Sequence, residues 1–146
     1  MKLKISDEWW TVPTEAENGR LIIVTGRADM ATVRSSGVFN YRVDVSWHYD
    51  GDVGGMPDDN LAELLGAVHD ALYDAFKRDP VAVMTGVYTG DDCRDWIFYA
   101  RSLHIFRNKI NEALADFDPL PLEFAAYDDP DWEEYDEMQL VNTHGS

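Results

Sequence analysis

Cysteine is nearly missing from the 146 residues: Cys93 stands alone, so no disulfide within the chain and no cysteine-built zinc site can form, which suits a reducing compartment. Basic residues are scarce too, 12 Lys and Arg against 28 Asp and Glu, a net charge of -16 that repels nucleic-acid phosphates and anionic head groups. No nucleic-acid partner is expected. The partner such a field favours is a cationic patch on another protein. No stretch approaches the roughly 18 continuous apolar residues of a membrane span, and no apolar run follows the opening MKLKIS. The expectation is a cytoplasmic, membrane-free protein. His48, His69, His104 and His144 lack metal-ligand spacing such as an i, i+4 pair on one helix, so neither a metal nor a cofactor is expected.

What is present is enough apolar mass to fold. Hydrophobic residues make up 45% of the chain and five are Trp, more than a disordered segment carries. At this length roughly two thirds of the unfolded surface can be buried, which predicts one domain over residues 1–146.

The apolar runs at 9–12 and 21–25 flank Asn18-Gly19 and predict a hairpin within residues 8–26. Residues 27–39 lack periodicity and read as a loop. From Tyr41 the chain alternates: Tyr41, Val43, Val45, Trp47 and Tyr49 point one way, Arg42, Asp44, Ser46 and His48 the other. Leu61, Leu64, Leu65, Val68, Leu72 and Phe76 form one apolar stripe on a helix that Asp79-Pro80 should stop. Strands are expected at 81–88 and 94–100 around a turn at 89–92, then a helix capped by Ser102 and ended by Asp118-Pro119, then a strand at 120–126. The order β-α-β-β-α-β over residues 40–126 predicts an α+β, ferredoxin-like core with both helices on one face of an antiparallel sheet, widened by the hairpin. Residues 127–146 form an acidic C-terminal segment.

The loop YDGDVGGMPDDN, residues 49–60, has the look of a ligand cradle. Counted from Asp50 as a calcium loop it offers Asp52, Gly55 and Asp58 in register, but Gly54 and Leu61 stand where two oxygen ligands belong. A phosphate cradle would need a Lys after the glycines, and the nearby carboxylates would repel the ligand. The loop instead reads as a bend whose Asp58, Asp59 and Asn60 cap the next helix, Asn60 and Glu63 having capping-box spacing.

Four stretches then line up: Trp9-Trp10 ahead of Asn18-Gly19, Gly55-Met56-Pro57 opening an apolar helix, TGDDCRDWIFY at 89–99, and DPDWEEY at 129–135. Together they resemble the bacterial domain-of-unknown-function family 695 over nearly the whole chain. That resemblance implies kinship with the ribonuclease E inhibitor (regulator B) domain, a ferredoxin-like fold, and protein binding rather than chemistry.

No catalytic residue is nominated. Cys93 sits beside Asp91, Asp92 and Asp95, whose charges would raise its pKa and blunt it as a nucleophile. If the two central strands are neighbours, the face away from the helices gathers Arg42, Asp44 and His48 with Asp95 and Tyr99 as a partner-binding surface. The run DDPDWEEYDE at 128–137 supplies seven carboxylates around Trp132 and Tyr135. It reads either as a helix whose two aromatics dock on the body or as an interaction segment in which Asp131, Trp132, Glu133 and Tyr135 meet a basic partner. The functional expectation is a non-catalytic regulatory domain acting through an acidic surface. Two alternatives are an immunity protein that neutralises a basic toxin and a hydrolase using His48 with Asp44 or Asp95. The oligomeric state stays open.

Overall fold

A computed structural model describes residues 5–78 and 81–144. The expected helix stop at Asp79-Pro80 lies outside the described residues.

Strands β1 (Trp9–Glu15) and β2 (Leu21–Arg27) pair as an antiparallel hairpin, with Gly19 at φ +83° supplying the turn that only glycine adopts freely. They are followed by α1 (Ala31–Ser35), β3 (Tyr41–His48), α2 (Asp59–Arg78), β4 (Ala82–Gly90) and β5 (Cys93–Ala100). The chain continues through α3 (Leu103–Ala113), β6 (Leu122–Asp128) and α4 (Glu133–His144). The single turn α1 corrects the reading of 27–39 as loop. Met30, Val33 and Phe39 are each buried to 2% exposure or less, and that tertiary burial folds a stretch whose local sequence shows no period.

The six strands form one sheet in the order β1-β2-β4-β5-β3-β6, with every neighbouring pair antiparallel. The protein is thus a mixed α+β domain. The hairpin joins the sheet through β2, whose Val24 lies opposite Tyr88 of β4.

Each face of the sheet has its own core. On one face Val43, Val45 and Trp47 of β3 and Trp96 and Phe98 of β5 pack with Leu65, Val68, Leu72 and Phe76 of α2 and Phe106 and Ile110 of α3. On the other, Val24, Val83 and Tyr99 lie against α1 and α4 through Val33, Trp132, Tyr135 and Met138. The helices therefore divide between both faces, and the face expected to be open is half covered by α4. A Cβ at Gly86 would collide with Met138 Sδ, so the missing side chain on β4 is what lets α4 lie this close.

Local signals explain the ends. Ser102 caps α3 by accepting the Ile105 N–H at 3.3 Å. At the start of α2 the cap is Asp58, which accepts the Leu61 N–H at 2.8 Å; the expected Asn60–Glu63 box starts two residues too late. Asp91 and Asp92 have φ of 53° and 64°, the two left-handed residues of a tight hairpin turn between β4 and β5. The 49–60 loop clamps that turn. Asp92 N–H donates to Gly55 O and Tyr49 N–H to Asp92 O, both at 2.9 Å, while Arg20 bridges Asp91 at 3.3 Å and Asp92 at 2.8 Å.

Candidate functional site

Antiparallel pairing of β3 with β5 puts the expected polar residues on one face in defined rungs: Arg42 opposite Tyr99, Asp44 opposite Ile97, Ser46 opposite Asp95, and His48 opposite Cys93. On its other side β3 brings Tyr127 beside Arg42, Ala125 beside Asp44 and Glu123 beside Ser46. The α4 layer overlies the end of this face at Tyr99. From Asp44 toward His48 the side chains are half-buried or exposed, and this is the polar surface the alternation predicts.

Arg42 reaches along its own strand to Asp44, with Nε and Nη2 at 3.1 and 3.3 Å from the two carboxylate oxygens, and its guanidinium lies 4.0 Å over the Tyr127 ring. Burial raises the Asp44 pKa, and Arg42 only partly offsets this. Ser46 donates its hydroxyl to Asp95, which also accepts a weak contact from the Cys93 thiol at 3.6 Å. Burial first, and then the Asp95 charge, push the Cys93 thiol up to about 12, so at neutral pH it is protonated and a poor nucleophile.

His48 does not meet either carboxylate proposed for a hydrolase. Asp44 lies four residues along the same extended strand, about 13 Å away, and Asp95 is engaged one rung off by Ser46. The neighbour of His48 is Glu123, with Nε2 and Oε2 3.6 Å apart and both side chains well exposed. The one serine hydroxyl of the patch that meets a carboxylate is that of Ser46, on Asp95, and His48 is not part of that pair.

The four nominated residues of the C-terminal segment separate. Trp132 and Tyr135 are buried at 1% and 7% exposure, Trp132 stacked on Tyr99 with ring centroids 4.3 Å apart and Tyr135 edge-on to Trp132 at 5.5 Å. Asp131 and Glu133 are exposed at the turn into α4. The aromatics thus hold the helix down while these acids face water. Tyr99 is also buried, so it supports the surface from beneath rather than forming part of it.

The sequence profile described as a family of unknown function, DUF695, matches residues 8–139. The chain belongs to DUF695. No curated protein and no solved structure matches it.

Two features of this DUF695 chain escape a reading by sequence pattern. Glu134 points inward from the first turn of α4, accepting the Tyr88 hydroxyl at 2.7 Å on Oε1, while buried Oε2 has no partner. Burial, reinforced by Asp44 and Glu137 against Tyr88 and Arg42, raises its pKa to about 6. The signal was its place four residues before buried Met138, on the docked side of α4. A raised carboxyl pKa favours the folded state fully below the ordinary value near 4.5, and that contribution is lost as pH rises to about 6. Glu134→Gln keeps an acceptor for Tyr88 and removes the buried charge. It is therefore expected to raise stability at pH 7 by about 2 kcal/mol and to flatten the melting temperature between pH 4.5 and 6. A variant that melts lower than wild type at pH 7 refutes the buried-charge assignment.

The second feature is His69, which is expected in solvent because it is polar and is not one of the apolar residues of the α2 stripe. The stripe is rotated: Leu64 is 38% exposed, while His69 is half-buried and its Nδ1 accepts the Trp96 indole N–H at 3.2 Å. Burial lowers the His69 pKa, and the acceptor role of Nδ1 leaves the neutral ring's proton on Nε2. His69 lines an open cleft of about 560 Å³ with Arg94, Thr25, Thr89 and Met56 between α2 and the β2-β4 strands. Arg94 is held there by Thr89, whose Oγ1 accepts its Nε–H at 2.9 Å.

Proposed function

We propose that this domain is a cytoplasmic, non-catalytic regulator that binds a basic protein partner through its acidic surface. The observation that carries the reading is the polar sheet face, where Asp44, Asp95 and Glu123 are met by Arg42 and His48 and where the one thiol stays protonated. Such a face attracts cations, and its Ser46–Asp95 pair is not joined by His48, which lies beside Glu123 instead.

We read β3-α2-β4-β5-α3-β6 as a ferredoxin-like unit. Its support is the strand order β4-β5-β3-β6 with α2 and α3 packed on one face, the arrangement of a split β-α-β fold. Kinship with the ribonuclease E inhibitor domain, implied by the resemblance of the motifs, fits a role in protein binding.

The test is capture of partners from a bacterial lysate at low and at high salt, with wild type beside the double variant Glu123→Gln, Glu133→Gln. Both carboxylates are exposed, so neither substitution should disturb folding. A basic protein held at low salt, released at high salt and lost by the variant supports the acidic surface, because exposed charges are screened over about 10 Å at 0.1 M ionic strength. A partner retained equally by the variant and at both salts would refute it.

A further inference from the structure

The sheet has two edges, and they are finished differently. On β1 the strand carries Pro13 in its middle, which removes a donor and blunts the edge against pairing. Its Trp10 and Val12 are packed into the α4-side core. On the opposite edge β6 reads LEFAAYD, with neither proline nor lysine, and β3 is its one neighbour in the sheet.

The register shows which backbone groups of β6 remain unpaired. The Asp129 N–H donates to Asn40 O at 2.9 Å just beyond the strand, and hydrogen-bonded rungs alternate in an antiparallel ladder. Residues 125 and 127 therefore direct their N–H and C=O groups to β3, while those of Phe124 and Ala126 face away from it; the Leu122 N–H is already taken by Leu120 O at 2.8 Å. The same residues point their side chains toward the helical layer, since Phe124 and Ala126 lie opposite buried Val45 and Val43. Phe124 is 51% exposed and Leu103 39%, and between them runs a groove of about 440 Å³ lined also by Val43 and Phe106. A strip of free backbone beside an apolar groove is the arrangement by which sheet edges take up an extended peptide.

We infer that the β6 edge and the β6–α3 groove bind an extended, apolar segment of a partner protein that is flanked by Lys or Arg. This rests on the acidic-surface reading and names where on that surface the partner docks. Charge selects the occupant: Glu123 and Asp128 stand on the strand and Asp118 lines the cavity that continues the groove, where Arg107 is the one cation among the lining residues, while Arg42 on the other face of the sheet is already engaged by Asp44 and Tyr127. A second copy of the chain would bring another net charge of -16 to the same edge. Backbone pairing supplies the affinity, the apolar groove selects alternate side chains of the incoming strand, and the carboxylates draw its basic flanks.

The experiment uses the whole chain and a labelled synthetic peptide alternating valine with threonine between lysines, followed by fluorescence anisotropy, with a glutamate-flanked peptide as control. Ala126→Pro removes an outward N–H without touching the β3 ladder, and Phe124→Asp puts a charge in the groove; melting curves confirm that both variants fold. The lysine-flanked peptide is expected to bind at least about tenfold more tightly than the control, and Ala126→Pro to weaken it by about tenfold or more. Equal binding of the two peptides, or full binding by folded Ala126→Pro, overturns the proposal. Sedimentation showing a wild-type dimer that Ala126→Pro dissociates overturns it in favour of a second copy. If Ala126→Pro keeps the basic partner while Glu123→Gln, Glu133→Gln releases it, the edge fails as the dock and the acidic-surface reading stands. If neither variant releases it and salt has no effect, both fail.

Discussion

Truncating Trp132 to alanine is expected to cost about 3–5 kcal/mol of unfolding free energy, enough to leave a domain of this size marginal or unfolded. The indole is 1% exposed, it lies flat on Tyr99 at 4.3 Å, and its N–H donates to Phe39 O at 2.8 Å. Alanine would leave a cavity between α4 and the sheet and orphan the Phe39 carbonyl inside it. Nor does the backbone gain anything. Trp132 has φ +58°, which alanine adopts no more willingly, so only glycine would relieve that strain and it would still empty the cavity. Urea denaturation followed by far-ultraviolet circular dichroism decides the matter, with Trp132→Phe expected to fall between wild type and alanine. A loss below about 1 kcal/mol at an unchanged m-value would mean that α4 contributes little to the second core.

Why that docking was ambiguous in the sequence is plain from the residues. Seven acids crowd residues 128–137, and composition alone favours a solvated segment. What decides the outcome is a receiving surface assembled from distant positions: Phe39, Tyr99, Val24 and the bare backbone of Gly86. No local pattern encodes that assembly. By contrast, the β3 alternation and the order of strands and helices from Tyr41 onward were readable because each element carries its own period, two for the strand and 3.6 for the helix. The polar face was readable for the same reason, since Arg42, Asp44, Ser46 and His48 must share a side of any strand. The pairings on it were not. The neighbours of His48 are set by the register with β5 and β6, so it meets Cys93 and Glu123 rather than Asp44 or Asp95. His69 misled for a smaller reason: it follows Leu65 by four and precedes Leu72 by three, a position on the buried stripe that its polarity disguises.

Asp129→Ala is expected to cost about 2–4 kcal/mol, because one buried carboxylate serves two structures at once. Its Oδ1 accepts the Glu133 N–H at 3.0 Å and its Oδ2 the Glu134 N–H at 3.3 Å, which caps the first turn of α4; Oδ2 also accepts the Tyr99 hydroxyl at 2.7 Å. Alanine strips the cap and leaves a phenol in the core with no acceptor for its proton. Removing the phenol as well should recover part of the loss, so a double-mutant cycle of Asp129→Ala with Tyr99→Phe is expected to show coupling of about 1–2 kcal/mol. The pH dependence identifies the charge. Burial would raise the Asp129 pKa, but the Tyr99 hydroxyl and the two backbone N–H groups outweigh it and hold the carboxyl below its ordinary value of 3.8. A depressed carboxyl pKa stabilises the fold above the ordinary value and loses that contribution as pH falls through the folded one. The gap between wild type and Asp129→Ala should therefore be full at neutral pH and close below about pH 4, opposite in sign to the Glu134 effect between pH 4.5 and 6. A gap that persists unchanged in acid would show that Asp129 acts by shape alone. Additive single losses in the cycle would separate the cap from the phenol and remove the link between α4 and the central strand β5.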